Sequence, residues 1–183
     1  MARGPFLLRA GWLGFLGDLV ETAMFVLALT AALFATQPKP MGSPVMDILS
    51  APDTISTCLR AHQGLAERRV ECVGQFAEAC MTYREGGQTT VGMMQCSMEE
   101  AEAWDAQLNT AYQTLRDHYQ GQSAYAAIQE AQRAWISFRD TDCAYMASVY
   151  EGGSIATVIH SGCVLDKTAH RALDLIEQTD LPD

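Results

Sequence analysis

Six cysteines, none before position 58, constrain this chain more than any other feature. Four of them bracket two segments that look alike: "CMTYREGGQTTVGMMQC", from Cys80 to Cys96, and "CAYMASVYEGGSIATVIHSGC", from Cys143 to Cys163. Each reads as a helix carrying a cysteine, a Glu-Gly-Gly turn, a Thr-Val pair, and a second cysteine at the start of the next helix. A Gly-Gly pair supplies positive φ angles where a helix must stop and the chain reverse. If each turn is closed by its own disulfide, Cys80–Cys96 and Cys143–Cys163, then Cys58 is left for Cys72. Six cysteines allow about 15 connectivities; locality favours this one among them. Each bridge would contribute about 3 kcal/mol by restricting the unfolded chain.

Other uses of the glycine turns fit less well. A phosphate cradle needs a preceding strand and a Gly-x-Gly or Gly-Lys-Ser/Thr pattern, and neither is present. A catalytic loop needs a nucleophile beside a base. His160 lies near the second turn, but the first has no counterpart. No Cys-x-x-Cys occurs, which removes zinc ribbons and thioredoxin-type redox motifs. The histidines His62, His118, His160 and His170 show no metal spacing. No catalytic residue, cofactor or metal is expected.

The disulfide reading requires export. An apolar run from Ala23 to Ala35 has the length of a signal-peptide core and is short for a membrane span. Residues 1–35 therefore read as a signal peptide, or residues 22–38 as an inner-membrane anchor. Asp18 and Glu21 directly precede the run, and no cysteine follows it closely enough for lipid attachment. Residues 36–52 form a proline-rich linker, and the folded domain is expected over 53–179. The destination is a bacterial periplasm, where disulfides persist. Arg3, Arg9, Asp18 and Glu21 cancel within the first 35 residues, so the net charge of −10 belongs to the rest of the chain. Such a chain repels nucleic acid and anionic membranes and favours a cationic partner.

From Asp53 onward the apolar residues recur at helical spacing without sustained alternation, which predicts an all-α fold. Asp53 would cap a first helix, and a second would cover Ala66 to Cys80. A third would run from Ser97 to Tyr119, opened by Ser97 with Glu100 three residues on, and bury Trp104, Leu108, Tyr112 or Ala111, Leu115 and Tyr119. A fourth, Ser123 to Tyr150, would bury a seam of Ile128, Ala131, Trp135, Phe138, Asp142, Tyr145 and Val149. A fifth would cover Val164 to Gln178. The third and fourth are expected to pack antiparallel at the centre of a disulfide-stapled bundle with Gly-Gly turns.

The pieces "TTVGMMQCSMEEAEAWDAQLNTAYQTL", "AQRAWISFRDTDC", "GGS", a cysteine and "RALDLI" occur in that order. They resemble the N-terminal domain of the lysozyme inhibitor LprI family of small secreted bacterial domains, over residues 80–176. The resemblance implies a binding domain, with a lysozyme as the possible cationic partner, and no catalysis. The chain departs from the lipoprotein that names the family by lacking a lipidation cysteine, and it adds the Cys58 and Cys72 pair.

Two clusters are candidates for contact with a partner. Glu99, Glu100 and Glu102, with Asp105, open the third helix. They complement its dipole or offer an acidic surface that speeds docking of a basic protein. Arg139 and Asp140 pair with charges nearby or form a patch facing a ligand. Asp142, within the seam, needs a cation, expected from another helix. Asn109 is expected to be a buried hydrogen-bonder between helices. The function read from these residues is an exported, non-enzymatic binding domain directed at a lysozyme-type cell-wall hydrolase. The alternative is a structural or assembly role in the envelope.

Overall fold

Ser50 opens the first helix with a reciprocal cap. Its hydroxyl accepts from the Asp53 backbone N–H at 3.3 Å and donates to the Asp53 carboxylate at 2.7 Å. Pro52 falls in the first turn, where its missing N–H costs nothing. Helix α1 is therefore Ala51–Ala61, and the cap expected at Asp53 lies three residues earlier. The computed structural model describes residues 50–150 and 152–180. The expected leader over 1–35, the alternative anchor over 22–38 and the linker up to residue 49 lie outside the described residues.

A 3-10 helix, Ala66–Cys72, follows α1, and then come α2 (Gln75–Tyr83), α3 (Thr90–His118), α4 (Ser123–Ser148) and α5 (Ile155–Thr179). No strand occurs among the described residues, and the fold is all-α. The single second helix expected over Ala66 to Cys80 is split, because Gly74 turns the chain at φ +86°. Both long helices that follow a glycine turn begin earlier than their apolar patterns imply. The Thr89 hydroxyl accepts from the Gly92 N–H at 3.0 Å, so α3 starts at Thr90 instead of Ser97. Helix α5 starts at Ile155 instead of Val164. Cys96 and Cys163 thus sit about two turns inside their helices.

The three expected disulfides are the ones formed: Cys58–Cys72, Cys80–Cys96 and Cys143–Cys163. Among the described residues no cysteine is free. One glycine in each turn takes a positive φ: Gly86 +72° and Gly152 +70°. They differ in tightness. A Cβ on Gly92 would lie 2.1 Å from the Gly86 carbonyl oxygen, and one on Gly87 would lie 2.7 Å from that of Cys80. At Gly153 the nearest atom would be 3.4 Å away.

At 29 residues, α3 is about 44 Å long and is the axis of the domain. Trp104, Leu108, Ala111 and Leu115 are buried on it, with Tyr112 and Tyr119 packed alongside, as the periodicity predicts. Its main partner is α5, whose buried stripe is Leu165, Thr168, Ala169, Ala172 and Leu175. Small alanines at the middle of that stripe let the two helices approach closely. The expected centre, the third helix against the fourth, is therefore replaced: α4 packs on α5 and barely touches α3. Arg69 ties the 3-10 helix to the end of α5 through Asp180 at 2.6 Å.

The seam expected on α4 is rotated. Ile128, Trp135 and Asp142 are partly covered, but Phe138, Tyr145 and Val149 are 56%, 66% and 65% exposed, and Ala131 is also outside. The covered edge runs through Ile128, Gln132, Trp135, Arg139 and Cys143. It is held to α5 by polar and covalent links. Arg171 Nε donates to Gln132 Oε1 at 3.2 Å, Lys167 Nζ meets Asp142 Oδ2 at 2.9 Å, and Cys143 bonds Cys163. These links, more than apolar burial, set how α4 faces the rest.

Candidate partner-binding surface

The acidic cluster at the third helix does not form one surface. Glu100 is fully buried. Gly74 N–H donates to its Oε1 and Ala77 N–H to its Oε2, both at 2.7 Å, and Trp104 Nε1 donates to Oε1 at 3.0 Å. Gly74 is the N-cap of α2 and Ala77 lies in its first turn, so the carboxylate caps that helix from inside the core. This is favourable on two counts, satisfying orphan N–H groups and facing the positive end of the dipole. Glu100 is therefore unavailable to a partner, contrary to the expectation from its sequence position.

Glu99 is engaged as well. Arg84, at the C-terminal end of α2, donates two hydrogen bonds to it at 2.6 and 2.7 Å. The Arg84 bond holds the Glu99 carboxyl below the usual carboxylate range, and partial burial opposes the shift. Glu102 is exposed, and Asp105, half-buried, accepts from Asn109 Nδ2 at 2.8 Å along the same helix. Asn109 is exposed and joins no second helix. Glu99 and Glu102 rim an open groove of about 960 Å³ between α1, α2 and α3, floored by Phe76, Ala79, Ala103 and Ala106.

The second cluster lies on α4. Arg139 and Asp140 pair with each other at 2.8 Å, and the guanidinium lies over the Trp135 ring. Asp142 finds its cation on another helix, as expected, in Lys167, whose ammonium also sits 4.8 Å above the Phe138 ring. Around these neutralised pairs, Phe138 and Tyr145 of α4 and its C-cap Val149 are exposed along one face, with Met146 at its edge. The periodicity expectation placed Phe138, Tyr145 and Val149 in the core instead. The signal was in the cysteine: at 100° per residue, Tyr145 lies about 200° around the helix from Cys143. A bridge from Cys143 to the next helix must turn Tyr145 outward.

Three disulfides on an all-helical domain suggest an exported protein, since such bridges persist mainly in oxidising compartments. Among the described residues no helix is long and apolar enough to cross a membrane. The lysozyme inhibitor LprI family model matches residues 80–175. An uncharacterized protein of Rhizobium meliloti (strain 1021) is 33% identical over 94 residues, covering 45% of this chain and 68% of that protein. No solved structure matches. The chain belongs to the lysozyme inhibitor LprI family. The matched residues contain the second and third bridges, both glycine turns and the whole of α4; Cys58 and Cys72 fall outside them.

Proposed function

We propose that this protein is an exported, periplasmic, non-enzymatic binding domain that docks on a cationic, lysozyme-type cell-wall hydrolase through the outer face of α4. The observation that carries the reading is the exposure of Phe138, Tyr145 and Val149 together on one face at the end of α4. Large apolar side chains grouped on a surface favour association, and aromatic residues dominate binding energy at interfaces. Arg139 and Asp140 would form part of the rim. The net charge of −10 favours a basic partner and speeds its approach. Glu102, and Glu99 so far as Arg84 leaves it free, would contribute to that steering more than to the final contact.

Calorimetric titration of a lysozyme with the purified mature protein, with residual hydrolase activity read in parallel, tests the reading. Binding is expected, weakened more than about tenfold by Phe138→Ala with Tyr145→Ala, the loss expected of aromatic contacts at an interface centre. Glu102→Gln should mainly reduce the association rate and its salt dependence. Absence of binding at low salt removes the reading in favour of an envelope assembly role.

A further inference from the structure

We infer that the Cys58–Cys72 bridge is a latent metal site: opened by a dithiol reductant, it becomes a Cys-Cys-His centre for a zinc-type divalent cation. The inference rests on His62. Its Nδ1 lies 3.7 Å from the sulfur of Cys58 and 3.7 Å from that of Cys72. All three donor atoms lie within 4.8 Å of one another.

Tetrahedral zinc, with arms of about 2.3 Å to sulfur and about 2.05 Å to nitrogen, places sulfur and nitrogen about 3.6 Å apart and two sulfurs about 3.8 Å apart. The sulfur–nitrogen edges already have that length. Only the sulfur–sulfur edge must lengthen, by rotation of two cysteine side chains whose Cα atoms are 5.7 Å apart.

The histidine is held by its surroundings. His62 caps the C-terminus of α1, one turn beyond Cys58. Its Nε2 lies 3.8 Å from Glu71 Oε2, and Glu71 is fixed in turn by two 3.1 Å bonds from Arg68. A carboxylate near Nε2 would keep the proton there and leave Nδ1, the nitrogen nearer the sulfurs, to bind a metal, as in metal-bound histidines. The imidazole is mostly covered, with 15% of its side chain exposed, and a fourth ligand would have to come from water or another small molecule. The site lies outside residues 80–175, so it is an addition of this chain to the family domain.

The steps balance. A dithiol passes two electrons and two protons to the bridge, giving Cys58 and Cys72 thiols and the reductant's own disulfide. Metal binding then expels the two thiol protons, leaving two thiolates and a neutral imidazole on the cation.

The test is graded reduction of the full mature chain with a phosphine, followed by cobalt(II) or zinc(II). Opened bridges are mapped by differential alkylation. One cobalt per chain is expected, with thiolate-to-cobalt charge-transfer absorption that rises with free Cys58 and Cys72. His62→Ala should abolish the tetrahedral spectrum, and Glu71→Gln should weaken zinc by roughly 10- to 100-fold. Neither substitution should disturb the oxidised fold. If opening the bridge melts α1, zinc should restore its helicity.

Absence of bound metal after Cys58 and Cys72 are free overturns the inference. So does unchanged binding in His62→Ala, or binding that persists when Cys58 and Cys72 are both serine.

Discussion

The Ala77 backbone N–H donates a 2.7 Å hydrogen bond to Glu100 Oε2 across 23 residues of chain, and neither group is reached by water. A carboxylate that reads on paper as part of an acidic surface is the internal cap of another helix. Replacing it with alanine would strand two backbone donors and the Trp104 indole N–H. Glu100→Ala is expected to lose about 3–5 kcal/mol of stability. Glu100→Gln keeps one acceptor oxygen and should lose about 1–3 kcal/mol. Urea unfolding of the oxidised protein measures both, and a variant as stable as the parent would show that the cap carries no energy.

The two glycine turns make a comparative prediction. Gly86 and Gly152 share a positive φ, which costs an L-residue about 1–2 kcal/mol, so alanine at either should destabilise by similar small amounts. Gly92→Ala should be worse than either, because its Cβ would sit 2.1 Å from the Gly86 carbonyl and the turn is closed by the Cys80–Cys96 bridge. A ranking in which Gly92→Ala is the mildest of the three would contradict the close approach of α3 to its own turn.

How much of this was legible in the sequence depends on the kind of force involved. Cysteine spacing and the repeated glycines led to all three bridges, because each bridge closes a local turn. The buried stripe of α3 was legible too, since Trp104, Leu108 and Leu115 recur at helical spacing. Three features were not. Helix starts at Thr90 and Ile155 depend on how the turn backbone delivers the chain, and the apolar pattern only begins later. The rotation of α4 depends on Gln132, Asp142 and Cys143 finding Arg171, Lys167 and Cys163, which are long-range pairings invisible to periodicity. The burial of Glu100 depends on α2 arriving with its N-terminus over the third helix, a tertiary fact with no local trace.

Acid should remove the contribution of the Arg84–Glu99 pair. The bond from Arg84 lowers the Glu99 carboxyl in the folded state relative to the unfolded chain. Its stabilisation is therefore fully present above the unfolded carboxyl range, about pH 4.3, and fades as the pH falls through the lower folded value. Both side chains are about a third or more exposed, so the pair is worth only about 0.5 kcal/mol after solvent screening. Glu99→Gln should lose that amount at neutral pH and match the parent at about pH 2, where both are uncharged. A difference that persists unchanged into acid would mean the glutamate acts by packing instead.

The outer face of α4 should separate stability from association. Tyr145 and Val149 are mostly exposed, so Tyr145→Ala and Val149→Ala should change the unfolding free energy by no more than about 0.5 kcal/mol. Phe138 is different by a small margin, because Lys167 lies over its ring while holding Asp142. Losing that cation–π contact at an exposed site would cost about 0.5–1 kcal/mol. Trp135 and Cys143, on the covered edge, should be more sensitive: opening the Cys143–Cys163 bridge by paired serines would remove about 3 kcal/mol. Thermal and urea unfolding of the four variants gives the order directly. If Tyr145→Ala were as damaging as loss of the bridge, the exposed face would have to be packed against something in the free protein. The outward rotation of Tyr145 on α4 would then be wrong.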